Sequence, residues 1–298
     1  MTSITSRITF LLLFAVTAGQ SLQASKECGN ASLKGSFGEI GWGAVPSPVF
    51  ANLGGPFVRV GQSILDGNGN IVSHTAASFN GLIFAVDAYS GIYIVHPDCT
   101  VEFHMQIPIP APGGSFVLPT DLIGVVSDDG NEVANVVVSP PGLSIRILFH
   151  KLNKKQEDRN HCSNNDFAGG FGLDMFGDVV SQPPNVSGTF SRTGRLVFDG
   201  NGGFTAHSNA SYGGVIVPET FAGTYSIDAG CKIIMHYTLA GKTYTWFGGL
   251  ASKGNAATLM VTDPPGAAVV GTVTQQQRHL AFRAIPSRSM RCLVAMGA

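Results

Sequence analysis

Four histidines occupy matched positions in the two halves of the chain. His74 recurs as His207 and His104 recurs as His236, at offsets of 133 and 132 residues. A neutral imidazole can ligate a metal ion or act as a general base near neutral pH. Each half therefore has a candidate pair that could bind a ligand or a metal. Neither pair has a third ligand at a fixed spacing, so a surface or cross-strand hydrogen bond is the competing interpretation, and no metal site is predicted.

The strand pattern around the histidines indicates which way they face. The clearest case is the segment 101–107, in which apolar residues alternate with Glu102, His104 and Gln106. Alternation places these three on one face of a strand. If the apolar faces fill a barrel, all four histidines point outward. A reversed barrel with a polar lumen would instead hold two histidines inside each unit, in a ligand cavity.

Two further motifs could carry chemistry. The segment 66–70, Asp-Gly-Asn-Gly-Asn, resembles the opening of a calcium loop, but Ile71 stands at the sixth position, where such a loop needs glycine. Asp-Gly and Asn-Gly between apolar runs predict a tight hairpin instead. Tyr93 and Tyr225, each two residues after a glycine, are interpreted as packing residues with a tethered hydroxyl.

No motif in the sequence specifies a reaction. It contains no Gly-x-Ser-x-Gly elbow, phosphate-binding loop or His-Glu-x-x-His helix. Catalytic residues are therefore unknown, no cofactor is predicted, and the protein is more easily read as a non-enzyme. Asn30, Asn185 and Asn209 begin Asn-x-Ser sequons, which matter in a host that glycosylates.

The cysteines repeat with the histidines. Cys28 and Cys99 recur as Cys162 and Cys231. In an exported chain this spacing predicts one disulfide within each unit, Cys28 to Cys99 and Cys162 to Cys231. Each would close a loop of roughly 70 residues and contribute about 4 kcal/mol in the chain-entropy model. Cys292 has no counterpart and is predicted to be a buried free thiol or an intermolecular link.

Composition and the first residues indicate an exported protein. Residues 1–24 contain a single charge, an apolar run and a small-residue exit, which is typical of a cleaved secretory signal peptide. The mature chain is expected in a secreted, periplasmic or cell-surface location, with no membrane span. With a net charge of -1 and 12% charged residues, it has no basic field for a nucleic acid.

The abundance of Gly, Thr, Ser and Val predicts an all-β fold. Turn signals divide the first unit into about eight runs, too closely spaced for crossover helices, so neighbouring strands should pair antiparallel. We predict two tandem up-and-down β-barrels, with two β-sandwiches as the alternative. The predicted strands of the first unit are 33–43, 55–65, 70–79, 82–88, 91–96, 100–107, 115–127 and 132–150, the last two split or bent.

The duplication also predicts domain boundaries. The two units differ in length because the first carries an additional Pro-rich loop over 108–114, and a dense charge run lies between them. The predicted segments are a signal peptide at 1–24, barrel repeat 1 at 25–152, a charged linker at 153–161, barrel repeat 2 at 162–275 and a C-terminal extension at 276–298.

The shared landmarks resemble those of a class of exported bacterial β proteins. They are the first Cys, Leu-x-Gly-Ser-Phe-Gly, Phe-Asp-Gly-Asn-Gly, Gly-Thr-Tyr, the second Cys and Pro-Pro-Gly. In shape this class is similar to small eight-stranded barrels of the calycin or allene oxide cyclase type. The resemblance implies a duplicated barrel, and it carries over turns, packing residues and a disulfide rather than any catalytic residue.

Three functions are compatible with these features. The first is a non-catalytic binding protein that holds an apolar or amphipathic small molecule in a barrel lumen. The second is a structural or surface-interaction protein with packed interiors. The third is a barrel cyclase or isomerase. The sequence does not indicate the ligand or the oligomeric state.

Overall fold

The computed structural model describes residues 27–46, 53–111, 114–152, 162–182, 186–251 and 255–276. The predicted signal peptide, the charged linker and Cys292 lie outside the described residues. The strands form two closed antiparallel barrels of eight strands each, in up-and-down order. The predicted all-β fold of two tandem barrels is therefore confirmed, and the sandwich alternative is wrong.

Barrel 1 closes through pairing of its first and last strands. Its strands are β1 (Gly35–Val45), β2 (Gly55–Leu65), β3 (Asn70–Phe79), β4 (Leu82–Val95), β5 (Thr100–Ala111), β6 (Gly114–Ser127), β7 (Glu132–Ser139) and β8 (Ser144–Lys151). Barrel 2 repeats this order and closes in the same way. Its strands are β9 (Ala168–Gln182), β10 (Val186–Asp199), β11 (Gly203–Tyr212), β12 (Val215–Ile227), β13 (Lys232–Leu239), β14 (Lys242–Ala251), β15 (Ala256–Asp263) and β16 (Ala267–Gln275).

Two features of the strands differ from the sequence-based expectation. The runs 82–88 and 91–96 form the single strand β4, because a bulge in the pairing with β3 carries the strand past this point without a turn. The run 132–150 is split into two strands, as expected, and Pro140 with its preceding cis peptide bond lies between them.

The predicted Pro-rich loop is the second difference, because much of it extends β5 and β6 into one long hairpin. Pairing of β5 with β4 ends at Met105. Pro108 and Pro110 lie beyond this point, on a part of β5 that pairs only with β6. A residue without a backbone N–H is tolerated there, because one side of the strand has no partner.

One end of each barrel is covered, and we refer to it as the closed end. In barrel 1 a 3-10 helix (Asn30–Leu33) lies across this end and buries Leu33 completely. The disulfide Cys28–Cys99 ties the helix to the β4–β5 connection, and Cys162–Cys231 does the same beside a second 3-10 helix (Asn164–Asp166) in barrel 2. Both predicted disulfides are confirmed.

The two barrels share a buried apolar interface. Outward-facing Ile40, Val58 and Val60 of barrel 1 form one buried cluster with outward-facing residues of barrel 2, which include Met260, Ala268 and Val270. Gly38 allows the backbones to approach, because a Cβ at this position would lie 2.7 Å from the carbonyl oxygen of Leu250. The interface makes both faces of β1 and β2 buried.

The open ends of the two barrels lie side by side. The open end is the one opposite the disulfide, and it carries the β3–β4 turn in barrel 1 and the β15–β16 turn in barrel 2. The backbone N–H of Gly266 in the second turn donates to the carbonyl of Gly81 in the first at 2.9 Å. Ser78 adds a bond from its hydroxyl to the carbonyl of Ala267 at 2.8 Å. Both mouths therefore open toward the same side of the molecule.

Candidate functional site

The matched histidines lie at outward-facing strand positions, and three of them contact a side chain of the adjacent strand. His104 Nδ1 lies 2.8 Å from Asp121 Oδ1 on β6. His207 and His236 lie 3.1 Å from the hydroxyls of Thr220 and Thr245, respectively. Each of these pairs is directly opposed in the strand register. This is the geometry of cross-strand hydrogen bonding on a barrel wall.

The two candidate histidines of barrel 1, His74 and His104, lie on strands that are not adjacent. His74 lies on β3, opposite Gln62, at the bulge in the pairing with β4, whereas His104 lies two strands away on β5. His104 instead borders Glu102, whose other oxygen lies 3.2 Å from His96 Nε2. Within the described ranges, no group of three or more His, Cys, Asp or Glu side chains is placed to hold a metal ion.

The segment that resembles a calcium loop is a hydrogen-bonded turn. Asp66 Oδ1 accepts the backbone N–H groups of Asn68 and Asn70, and its Oδ2 accepts the Asn70 amide. Hydrogen bonds from the Asn70 side chain and backbone lower the pKa of Asp66 to about 2. Asp199 accepts the corresponding backbone bonds in barrel 2, and its pKa is also lowered. The hairpin interpretation is confirmed.

The two matched tyrosines are tethered at the closed ends, as predicted. The hydroxyl of Tyr93 donates to the carbonyl of Asn30 at 3.1 Å, and that of Tyr225 lies 3.1 Å from the carbonyl of Asn164. Both contacts bind the 3-10 helix to the barrel. Burial raises the pKa of both phenols, which favours the protonated hydroxyl that makes these hydrogen bonds.

The principal site is one that the sequence analysis missed, a buried arginine inside each barrel. Arg59 on β2 and Arg192 on β10 occupy matched positions at an offset of 133, within Phe-Val-Arg-Val-Gly and Phe-Ser-Arg-Thr-Gly. They are 7% and 3% exposed. A guanidinium this buried must be paired, because an isolated charge in a low-dielectric interior is costly. The sequence feature that could have identified this site is an arginine two residues after a matched phenylalanine, on the same face of the strand.

Arg59 belongs to a polar layer that crosses the interior of barrel 1. Its Nε donates to Glu39 Oε1 at 2.6 Å, and the second oxygen of Glu39 accepts from Ser63 at 2.7 Å. The Ser63 hydroxyl lies 2.7 Å from that of Ser73. Glu39 is fully buried, so this carboxylate is neutralised by the arginine rather than by water. The Arg59 guanidinium also lies over the ring of Tyr89, 5.0 Å from its centre.

Arg192 is held differently in barrel 2. Its Nη2 lies 2.8 Å from Glu219, a residue of β12, whereas Glu39 lies on β1 in barrel 1. Two phenols complete the shell, because Arg192 donates to the hydroxyls of Tyr212 and Tyr237 at 3.2 Å each. Burial raises the pKa of Tyr237 to about 12, with Arg192 partly opposing the shift. The duplication has thus kept the arginine and moved its carboxylate partner to another strand.

Barrel 1 has an open apolar cavity above its polar layer. The volume of this cavity is about 60 Å³. The polar lining is Arg59, Thr75 and Thr120, at the level of the polar layer. The remaining walls are apolar and are formed by Phe57, Ala77, Phe79, Phe84, Ile107, Ile109, Leu118, Leu122, Val137, Leu143, Ile145 and Ile147.

The corresponding space in barrel 2 is filled by aromatic side chains. Thr120, paired with Met105 in barrel 1, corresponds in register to Tyr244, paired with Tyr237. By the same register, Leu122 corresponds to Trp246, which is completely buried. These larger rings leave only about 20 Å³ beside Arg192. The duplicated barrels therefore differ in their interiors, one being open and the other packed.

Barrel 1 contributes no charged side chain to the described part of the rim around its cavity. The segments 40–58, 78–86, 106–120 and 134–145 form or flank the open-end connections, and their sequences contain no Asp, Glu, Lys or Arg. Large apolar side chains are exposed at this end, including Leu82 (48%) and Val117 (56%). An apolar molecule that enters the mouth would displace no charged rim residue.

Comparisons with known proteins add little to this description. No family model matches the chain, and no curated protein matches it. A solved chain from Nitrosomonas europaea, provisionally assigned as an AttH protein, is 11% identical, with a TM-score of 0.27, over 87% of this chain and 98% of that one. The barrel assignment rests on the strand pairing. Among the described residues, no helix is both long and apolar enough to cross a membrane.

Proposed function

We propose that this is an exported, non-catalytic binding protein that holds a small apolar or amphipathic molecule in the cavity of barrel 1. The observation that carries the proposal is the difference between the two lumens. An apolar cavity with a few polar groups at one end is the usual form of a small-molecule site. The cavity has a volume of about 60 Å³, against about 20 Å³ for the space beside Arg192 in barrel 2.

Barrel 2 has a structural role in this proposal. Its interior is packed by Tyr237, Tyr244 and Trp246, and its outer wall covers one side of barrel 1. The β15–β16 turn of barrel 2 bonds to the β3–β4 turn, which carries cavity residues Phe79 and Phe84 on either side. Barrel 2 therefore supports the wall of the binding cavity. In this proposal barrel 2 has the structural role and barrel 1 has the binding role.

The proposed location is outside the cytoplasm. The sequence pattern of residues 1–24 and the disulfides Cys28–Cys99 and Cys162–Cys231 support export into an oxidising compartment. We propose the boundaries 25–152 and 162–275 for the two units, joined by the charged segment 153–161. A shape of the calycin type fits an eight-stranded barrel with an open mouth.

The proposal is tested by filling the cavity with the residue that fills barrel 2. Leu122→Trp copies Trp246 and should reduce binding of octanol at least tenfold, as measured by calorimetry or by displacement of an apolar fluorophore. Ile123→Trp is the matched control, because Ile123 is 47% exposed on the outer wall of the same strand. It should bind as the wild type does. Equal binding by both variants, or no binding by the wild type, would contradict the proposal.

A further inference from the structure

We propose that the floor of the barrel 1 cavity binds an uncharged head group that both donates and accepts hydrogen bonds. The ligand class is then a neutral amphiphile with an alcohol or primary amide head and an apolar tail. This inference rests on the proposed binding function and specifies which end of the ligand lies deepest. It is based on unsatisfied polar atoms and on the charge balance of the polar layer.

Among the described residues inside barrel 1, two buried polar atoms make no hydrogen bond within the protein. They are the hydroxyl of Tyr89 and the Oδ1 of Asn135, on residues that are 5% and 1% exposed. Leaving such an atom unsatisfied costs about as much as a lost hydrogen bond or more. A ligand that completes both would recover this loss on binding.

Both atoms belong to residues that contact the lining of the cavity from behind, without lining it themselves. The Tyr89 ring lies beneath the guanidinium of Arg59, which lines the cavity. The Asn135 amide donates to the carbonyl of Ile147, another lining residue. Asn135 is also one inward position deeper along β7 than Val137, which forms part of the wall. If a ligand enters with its head group leading, the head group passes the apolar walls and meets these residues before the tail does.

Barrel 2 has neither of these two groups, although Arg192 Nε and Trp246 Nε1 are buried without a hydrogen-bond partner among its described residues. Tyr89 is opposite Ser73, and the matched pair in barrel 2 is Phe221 opposite Ala206. Asn135 is opposite Gly124, and by register its equivalent is Leu259, opposite Gly248. The packed barrel thus has apolar residues at the two positions where the open barrel has unpaired polar ones. The two interiors therefore differ in which polar atoms are unpaired, and the unpaired atoms of barrel 1 belong to residues that border its cavity.

The polar layer selects against an anionic head. Glu39 already balances the charge of Arg59 through a 2.6 Å hydrogen bond. A second buried carboxylate would carry an uncompensated charge, whose desolvation is strongly unfavourable. The Tyr89 hydroxyl can donate to a ligand oxygen, whereas Asn135 Oδ1 can only accept. A hydroxyl or primary amide meets both needs, and an ether or a carboxylate does not.

Three ligands with the same tail separate these requirements. Octanol donates and accepts, octyl methyl ether only accepts, and octanoate is charged at neutral pH. Calorimetric titration of the full chain should show octanol binding about 3- to 10-fold more tightly than the ether, and at least about tenfold more tightly than octanoate. Asn135→Leu, which copies barrel 2, should reduce the preference for octanol over the ether to less than about threefold, because it removes the acceptor that only octanol can use. Tyr89→Phe, which also copies barrel 2, should weaken octanol and the ether alike, because both accept from the Tyr89 hydroxyl.

Tyr93→Phe is the matched control, because its hydroxyl is tethered to Asn30 and Gly67 at the closed end. It should lower stability but leave the preference for octanol unchanged. Tighter binding of octanoate, or equal binding of octanol and the ether by the wild type, would overturn the head-group inference while leaving the binding function in place. Absence of binding for all three ligands would overturn the binding function itself.

Discussion

Removal of the buried cation in barrel 2 tests whether the interior is as dry as the structure indicates. Arg192→Met keeps an unbranched side chain of similar length but removes the charge and its contacts with Glu219, Tyr212 and Tyr237. The side chains of Arg192 and Glu219 are 3% and 5% exposed, so the remaining carboxylate would be buried without a counterion. Breaking such a pair typically costs about 3–5 kcal/mol.

A double-mutant cycle separates the loss of stability in Arg192→Met into the cost of the uncompensated charge and the loss of packing. Glu219→Gln removes the second charge and leaves an amide that can still accept from the Tyr212 hydroxyl, 2.8 Å away from the carboxylate oxygen in the native protein. Arg192→Met combined with Glu219→Gln should therefore recover at least about 2 kcal/mol relative to Arg192→Met alone. The recovery measures the cost of the uncompensated charge rather than the loss of packing.

Urea unfolding followed by tryptophan fluorescence suits this measurement. The chain has two tryptophans. Trp246 lies inside barrel 2, with the Arg192 guanidinium 5.8 Å from its ring, and Trp42 lies at the interface between the barrels. A loss below about 1 kcal/mol for Arg192→Met would refute the reasoning. It would mean that water reaches Glu219 and that barrel 2 is not packed.

Three further predictions concern the framework. Asp66→Asn should lower the melting temperature at neutral pH. The difference from the wild type should disappear as the pH falls from about 3.8 to about 2. The reason is that folding lowers the pKa of Asp66, so its carboxylate stabilises the fold above its ordinary pKa and no longer does so below its pKa in the folded protein. At alkaline pH the raised pKa of Tyr237 has the opposite sign, so barrel 2 should lose stability as the pH rises from about 10 to about 12, and Trp246 emission should change over that interval. Replacing both Cys28 and Cys99 by serine should cost about 4 kcal/mol in urea unfolding, since the bridge closes a separation of 71 residues. The Asp66 assignment is contradicted if the melting difference persists at pH 2. The Tyr237 assignment is contradicted if Trp246 emission is unchanged up to pH 12. The disulfide assignment is contradicted if the serine variant has an unaltered unfolding midpoint.

The barrels and disulfides could be predicted because their signals are local and occur twice. Glycine turns such as 66–70 fix hairpins, and the recurrence of Cys28 and Cys99 limits the pairing within each unit. The outward orientation of His104 followed from alternation along β5. Boundaries were less accurate where glycine occurs inside a strand, as at Gly91, because the same residue that permits a turn also accompanies a bulged strand.

The buried arginines escaped the sequence analysis for a specific reason. Alternation along β2 places Arg59 on the face of Phe57, but Val58 and Val60 on the other face are also apolar, because that face is covered by barrel 2. With both faces apolar, the pattern alone did not assign Arg59 to the interior. The interface that hides this signal is a tertiary feature, and no local pattern reports it.

The cavity also depends on information that a single strand does not contain. Its size follows from cross-strand partners, such as Thr120 with Met105 in barrel 1 and Tyr244 with Tyr237 in barrel 2. The extended β5–β6 hairpin changes the offset between the units just before these positions, so a constant offset does not align them. Only the strand register shows that barrel 1 has smaller side chains where barrel 2 has large aromatic rings.

Methyl NMR of the labelled full chain during titration with octanol tests the central claim most directly, because it reports which barrel holds the ligand. We predict chemical-shift changes and ligand contacts at Ile107, Leu118 and Ile145, which line the cavity of barrel 1. The methyl groups of Val261 and Val269, beside Arg192 in barrel 2, should remain unchanged. Contacts confined to the barrel 2 methyl groups, or no contacts at either set, would contradict the assignment of the binding site to barrel 1.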